Sequence, residues 1–349
     1  MKVFTHLDIT DRSNALPVAE QTKWNAGLFD IRTDPNTRFF NPSMVKRGDQ
    51  YWLFARRARN IKGDWMGMND IVAHLFDRRT KAIRASVGVV FPKHYKEEHY
   101  EDPRTMWMGG SLYISCTTFI PRMFTGAHQK IARLNDQFYS GRPLSPIYGG
   151  NGGSPLLNEG RHEKNWLWFE HDGRPHMVYR AVPHEVVEFD SFEEFRAVKT
   201  HRSCIAHKAW CHGELRGGTP PVRVGDEYWT FFHSSLNWRK PKRQYFMGAY
   251  AFSAKPPFEM TRMTFRPLLA GSIADPWAEG LPLVVFPCGA IYENGIWFVT
   301  YGVNDYVCGW IEIPHSELES ELAYVEPFEE TQEPPAPSPA VVKAVLGAP

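Results

Sequence analysis

Five times along this chain a polar or glycine-rich corner leads into an apolar run. A Gly, Asp or Asn turn follows, and then a strand of aromatic and β-branched residues that ends on a polar side chain. The copies read NPSMVKRGDQYWLFAR from Asn41, EDPRTMWMGGSLYISCTTF from Glu101, EKNWLWFEHDGRPHMVYRAV from Glu163, GGTPPVRVGDEYWTFFHSS from Gly217 and FPCGAIYENGIWFVTYGVND from Phe286. A strand-rich repeat of roughly 60 residues predicts a propeller, because each blade can bury its faces only against its neighbours. The expected fold class is therefore all-β, a five-bladed β-propeller. Matching positions of the repeat then converge on one axis. The corners bring Asn41, Asp102, Asn165, Gly218 and Pro287; the strand ends bring Arg56, Thr117, Arg180, His233 and Asp305. The result is a polar pocket with one candidate acid and several cations.

Helical periodicity is scarce. Short apolar runs bounded by Gly, Pro, Asn and Asp dominate, as in all-β chains. NDIVAHLFD from Asn69 reads as a third strand and KAIRASVGVVF from Lys81 as an outer one; HQKIARLND, EVVEFD and QYFMGAYAFSA are their later counterparts. Ser191 and Glu194 are spaced as a capping box, which predicts one short helical turn. GGNGG from Gly149 has no evident helix after it, so it reads as a connection and not as a phosphate cradle. Residues 1–326 are assigned to the propeller. Residues 327–349, rich in proline and without strand pattern, are expected to be a disordered tail.

The 40 basic and 39 acidic residues nearly cancel, which argues against nucleic-acid or membrane-surface binding driven by bulk charge. The clusters Arg56-Arg57-Arg59 and Arg239-Lys240-Lys242-Arg243 read as solvated loops. Five cysteines form no tight framework and suit a reduced compartment. The opening KVFTHLDITDR has no apolar signal core, and no run of about 18 apolar residues exists, so a cytoplasmic protein is expected. Cys204, His207, Cys211 and His212 invite a zinc site, but their spacing fits no common one, and neither metal nor cofactor is expected.

The motifs NPSM at Asn41, LFAR ending at Arg56, NDIVAH from Asn69, EDPR from Glu101 to Arg104, EKNW at Glu163, GGTPPV at Gly217, and VVFPCGA with YGVND from Val284 to Asp305 occur in one order at blade spacing. Together they resemble glycoside hydrolase family 130, the β-mannoside phosphorylases and their mannosyltransferase-like relatives, in a distant branch. The resemblance covers roughly residues 38–313. It implies a five-bladed propeller that acts on β-mannosides with inversion and uses a single catalytic aspartate. Asp102 matches the proton donor, which acts through a hydroxyl of the mannosyl unit. Asn41 and Asp305 match positions that hold sugar hydroxyls, and Asn69, Asn165 and Tyr301 are further substrate-binding candidates.

Glycosidic cleavage passes through an oxocarbenium-like state and needs a proton for the leaving oxygen. A donor carboxyl should then have a raised pKa. Glu101 is a possible source of the charge that raises it, although adjacent strand residues point to opposite faces. An inverting hydrolase needs a second carboxylate as base, for which Glu163 and Glu214 are the candidates. An inverting phosphorylase needs cations, because phosphate is its own nucleophile. Arg56, Arg104, Lys164, Arg180 and His233 are the candidate phosphate ligands. The expected partners are a small sugar and inorganic phosphate or a sugar phosphate, with a homo-oligomer possible. The expected activity is inverting phosphorolysis or mannosyl transfer; the alternatives are a β-mannoside hydrolase and a non-catalytic carbohydrate-binding propeller.

Overall fold

The structure is a computed structural model that describes residues 16–60, 69–92, 98–119, 127–146, 164–205, 210–239, 242–275 and 282–328. The side chains of 119, 205, 238, 239, 242, 327 and 328 are outside the description. The strands form five sheets that follow one another along the chain. Blade one holds Thr37–Arg47, Gln50–Arg59, Asn69–Phe76 and Ile83–Gly88. Blade two holds His99–Met108, Ser111–Phe119 and His128–Leu134. Blade three runs from Leu167–His171 through Arg174–Arg180 and His184–Phe189 to Ala197–Ile205. Blade four is built on the long pair Glu227–Arg239 and Lys242–Ser253, with Met260–Thr264 outside it. Blade five holds Val285–Glu293, Ile296–Val303 and Val307–Pro314. All the pairings between these strands are antiparallel, and the first two strands of blades one, two, three and five are joined by tight turns, as the repeat predicts.

Each junction between blades carries its own apolar cluster. Val45, Phe54 and Ile71 of blade one meet Tyr100, Ile114 and Leu134 of blade two. Met106 and Tyr113 meet Trp166, Trp168 and Phe189 across the next junction. Phe169 and Val186 meet Tyr228, Phe232 and Phe252. Trp229 and Phe231 meet Trp297, Val299 and Tyr301. Phe298 and Cys308 of blade five return to Met44, Leu53 and Phe76 of blade one. The aromatic abundance is thus spent on filling the wedges between twisted sheets. Closure is reinforced by strand exchange: Asn25–Leu28, from the start of the chain, forms the outer strand of blade five by pairing with residues 309–312. The molecule is a five-bladed propeller.

Two local expectations are revised. Ser191 Oγ accepts the Glu194 amide (3.2 Å), but the segment forms a turn and no helix. The α-helix among the described residues is His315–Ser320, which seals blade five with buried Leu318. Pro327 and Phe328 pair with Ile205 and Cys204, so the chain remains in a sheet two residues past the expected boundary; 329–349 lie outside the described residues.

Candidate active site

The innermost strands of blades one, two and five break register at their corners. Pairing shifts between Phe40 and Ser43, between Glu101 and Arg104, and between Pro287 and Gly289. Asn41 and Asp102 sit in two of these breaks, and Asn165 just ahead of the first strand of blade three, with φ of 49°, 50° and 68°. Asn and Asp are the non-glycine residues that best tolerate this left-handed region, which explains their repetition at the corners. A bulge turns the residue at the corner out of the strand's alternation. Glu101 and Asp102, expected on opposite faces, therefore converge on one guanidinium.

Arg56 is that guanidinium. Its Nη2 donates to Glu101 Oε1 (2.7 Å), its Nη1 to Asp102 Oδ1 (3.2 Å) and its Nε to Asn69 Oδ1 (3.0 Å). Asn69 Nδ2 also donates to Glu101 Oε1 (3.2 Å). From the other side Asn41 Nδ2 donates to Asp102 Oδ1 (2.8 Å) and, at the limit of hydrogen bonding, to Asp305 Oδ1 (3.5 Å). All of these side chains are buried or nearly so. Burial pushes the Glu101 carboxyl up to about 7 against the pull of Arg56, with the Asp102 charge adding to the rise. Burial acts on Asp102 too, but Arg56 and the Asn41 bond outweigh it and hold its carboxyl below the usual range. Burial raises Asp305. The expectation of a raised Asp102 is thus corrected: in the unliganded pocket the raised member of the pair is Glu101.

These groups form part of the lining of a cavity of about 900 Å³ at the axis. Lys164, Asn165, Arg180, Glu214, Arg216, His233 and Arg243 line it as well, with Trp166, Tyr179, Tyr245 and Phe286 as aromatic wall. Asn41, Arg56, Lys164, Asn165, Arg180, His233, Asp102 and Asp305 are thereby brought together as the repeat predicts. Four expectations change. Arg104 is fully buried, and its donors go to the carbonyls of Gly218 (2.7 Å), Asp102 (3.2 Å) and Gly217 (3.2 Å) and to Asn165 Oδ1 (2.9 Å). It clamps the corners of blades two, three and four together and presents no donor to an anion. His233 is buried, and desolvation together with the charges of Arg104 and Arg216 drives it well below the usual imidazole range. It is a neutral ring, not a cation. Asn69 positions Arg56 and Glu101 from behind. Tyr301 packs in the apolar cluster between blades four and five, and its ring lies against Gly309. It sits one residue out of phase with the pocket.

Arg216 and Arg243 went unnoticed as ligands in the sequence. Arg216 pairs with exposed Glu214 (3.1 Å), whereas Arg180 and Arg243 make no ion pair with a described residue. Arg216 stands opposite His233 in the strand register, which is the signal that could have found it. Of the suspected zinc ligands, His207 lies outside the described residues, and Cys211 Sγ approaches only His212 Nε2 (3.5 Å). No group of three or more His, Cys, Asp or Glu among the described residues is arranged to hold a metal.

No family model and no curated protein matches the chain in sequence. Solved structures do match its fold. A β-1,2-mannobiose phosphorylase from Listeria innocua is 14% identical with a TM-score of 0.61, over 84% of this chain and 95% of that one. A structure from the GH130 family of mannoside phosphorylases, which contains hydrolases that target β-1,2 mannosidic linkages in Candida mannan, is 14% identical with a TM-score of 0.64, over 90% and 99%. The chain has the GH130 fold. A GDP-Man-dependent mannosyltransferase from Leishmania mexicana shares it at 15% identity and a TM-score of 0.56, over 84% and 92%. At such identities the GH130 likeness is one of architecture and fits a distant branch; the chemistry rests on the residues of the pocket. No helix among the described residues is long and apolar enough to cross a membrane.

Proposed function

We propose that this chain is a carbohydrate-active enzyme that cleaves or forms β-mannosidic bonds with inversion, using phosphate or mannose 1-phosphate. The observation that carries the reading is the charge of the cavity lining. Three carboxyls, Glu101, Asp102 and Asp305, gather around Arg56. Lys164, Arg180, Arg216 and Arg243 line the cavity as well.

Asp102 is the acid–base group. In phosphorolysis its proton passes to the glycosidic oxygen through a hydroxyl of the mannosyl unit, the C1–O bond breaks, and a phosphate oxygen bonds C1 from the opposite face. In the reverse direction the acceptor hydroxyl loses its proton toward Asp102 and phosphate leaves with the bonding pair. Asn41 and Asp305 hold sugar hydroxyls beside it. The cations replace water around the phosphate and neutralise it, and Tyr179, Trp166 and Tyr245 offer faces for apolar sugar surfaces.

Hydrolysis would need a base that can place a water across the sugar ring from the acid. Among the described residues Glu101 shares Arg56 with Asp102 and so lies on the acid's side, and Glu214 is tied to Arg216; Glu163, the other candidate base, lies outside the described residues. This arrangement favours a phosphate nucleophile. The test is incubation with mannose 1-phosphate and a panel of acceptor sugars. Phosphate release that depends on acceptor supports the reading; release of free mannose without any phosphate species would replace it with hydrolysis, and binding of mannosides without turnover would leave a binding module.

A further inference from the structure

Blade two carries aromatic surface that the axial pocket does not use. Trp107 follows Asp102 in the strand His99–Met108 and lies roughly 15 Å from it, toward the opposite end of the axis. It is 45% exposed, in a strand whose other residues are all buried. Its Nε1 donates to the Lys46 carbonyl of blade one (2.9 Å). The polar atom of the indole is therefore spent and the ring is held in one orientation, while the residue stays open to solvent. Tyr139 is 53% exposed in the loop that follows blade two. That loop is pinned. Asn135 Oδ1 accepts the amides of Gln137 (3.0 Å) and Tyr139 (2.9 Å), and buried Phe138 packs against Trp52 and Phe54 of blade one.

Both rings line one groove of about 630 Å³, which shares no residue with the axial cavity. Exposed Arg133, Asn135 and Gln137 line it too. Asn135 spends Oδ1 on its own loop and keeps Nδ2, and the side chains of Arg133 and Gln137 make no hydrogen bond or ion pair with a described residue. Arg47 is spent on the carboxylate and the carbonyl (3.0 Å) of Asp136. One unpaired cation is a poor match for a phosphate, unlike the several that line the axial pocket. More polar than apolar side chains line the groove, which is a poor match for the core of a protein interface. A pyranose has a C–H face that packs on aromatic rings and an edge of hydroxyls that bond planar amides and guanidinium groups. The groove offers both. Trp107 also lines a second cavity of about 600 Å³, to which all five blades contribute, with Arg223 and Tyr292 in its wall.

We infer that this groove is a binding site for a neutral oligosaccharide, seated on Trp107 and Tyr139 and separate from the axial pocket. Each ring takes the apolar face of a sugar, and Arg133, Asn135 and Gln137 bond its hydroxyls. Because Trp107 lines both cavities, the ligand is a chain of several sugar units and not a monosaccharide. The site itself assumes nothing about the reaction. Combined with the proposed activity, it takes manno-oligosaccharides and keeps the protein on a polymeric substrate while the axial pocket works on chain ends.

The experiment is fluorine NMR on the full chain labelled with fluorotryptophan, in the Asp102→Asn background to exclude turnover. The Trp107 signal is identified by its loss in Trp107→Phe. Titration with a β-1,2-linked mannotetraose, with cellotetraose and with chitotetraose should give a saturable shift of that signal for at least one of them. Tyr139→Ala should weaken the binding by about three- to tenfold. In the Asp102 protein, Trp107→Ala should leave turnover of a monosaccharide acceptor unchanged and raise KM for a long one. A Trp107 signal unmoved by all three sugars at millimolar concentration, or an affinity unchanged in Tyr139→Ala, would overturn the inference. A smaller oligomer in Trp107→Ala than in the wild type, seen by light scattering, would also overturn it, in favour of an interface between copies of this chain. A shift in a protein that turns over no mannoside would keep the site and reject the proposed activity; turnover without a shift would do the reverse.

Discussion

At the scale of single residues, the corner motif predicts Asn41, Asp102 and Arg56 in one place, and they are in hydrogen-bonding contact. Replacing Asp102 by Asn should keep the backbone, since Asn suits φ of 50° as well as Asp does. It removes the transferable proton, so turnover should fall by about 10²–10⁴-fold while the melting temperature stays within a few degrees. Unchanged turnover would reject the enzymatic reading. Arg180→Ala should act on binding alone, because Arg180 is exposed at the cavity and makes no ion pair with a described residue. The KM for phosphate or sugar phosphate should rise by an amount worth about 1.5–3 kcal/mol, with folding unaffected; equal KM values for wild type and variant would remove Arg180 from the anion site. What was hidden from the sequence at this scale was orientation. Strict alternation separates Glu101 from Asp102, and only the bulge between Glu101 and Arg104 brings both to Arg56. Arg104 looks like a phosphate ligand by type and position, yet the corner carbonyls claim it first. His233 looks cationic until its desolvation is known.

At the scale of elements, strand order and pairing were legible because hydrophobic alternation and turn residues repeat five times. Closeness of approach was not. The corners of neighbouring blades meet across glycines: a Cβ on Gly302, in the second strand of blade five, would stand 1.9 Å from Asn41 Oδ1 of blade one. Gly218 plays the same part in blade four, where a Cβ would stand 2.8 Å from Pro287 Cγ of blade five. These glycines were visible in the motifs but carried no sign of what they face. Gly302→Ala should push Asn41 away from both Asp102 and Asp305. The expected cost is about 1–3 kcal/mol of stability from overpacking, with turnover falling further than that loss alone explains. Urea unfolding and turnover measured on the same preparation separate the two effects, and a variant with wild-type activity would show that Asn41 does not hold the carboxylates in place.

At the scale of the molecule, the ring is held by five apolar wedges and by the early strand that completes blade five, so its stability is shared around the axis. Composition and repeat length predicted that ring; the pairing of Asn25–Leu28 with the last blade was not predicted, because its four residues carry no pattern of their own. The same burial that builds the ring leaves histidines inside it. His74 in blade one is 1% exposed and meets Ser86 Oγ (2.8 Å), and burial with the charge of Arg57 pushes it down to about 4. His184 in blade three is fully buried, donates from Nδ1 to the Phe258 carbonyl (2.8 Å), and is likewise pushed down to about 4 by burial. An unfolded chain protonates such rings near 6.5. Between 6.5 and 4 the unfolded state therefore binds protons that the folded state refuses, and stability must fall as pH falls through that window. Above 6.5 the contribution of each ring is complete, and below 4 it is lost, up to about 3 kcal/mol apiece. Glu101 works in the opposite sense: its raised carboxyl contributes stability below its unfolded value of 4.5 that is lost as pH rises toward 7. Asp275, pushed up by burial to about 6, and Asp305, also raised by burial, act in the same sense as Glu101. Buried His233, held well below the usual range, joins His74 and His184. With their full windows between pH 7 and 4.5, the histidines leave the balance on the side of acid lability. The urea midpoint should thus be higher at pH 7 than at pH 4.5, and His74→Gln should flatten the difference; equal midpoints in the wild type would mean that these rings are protonated inside the folded propeller.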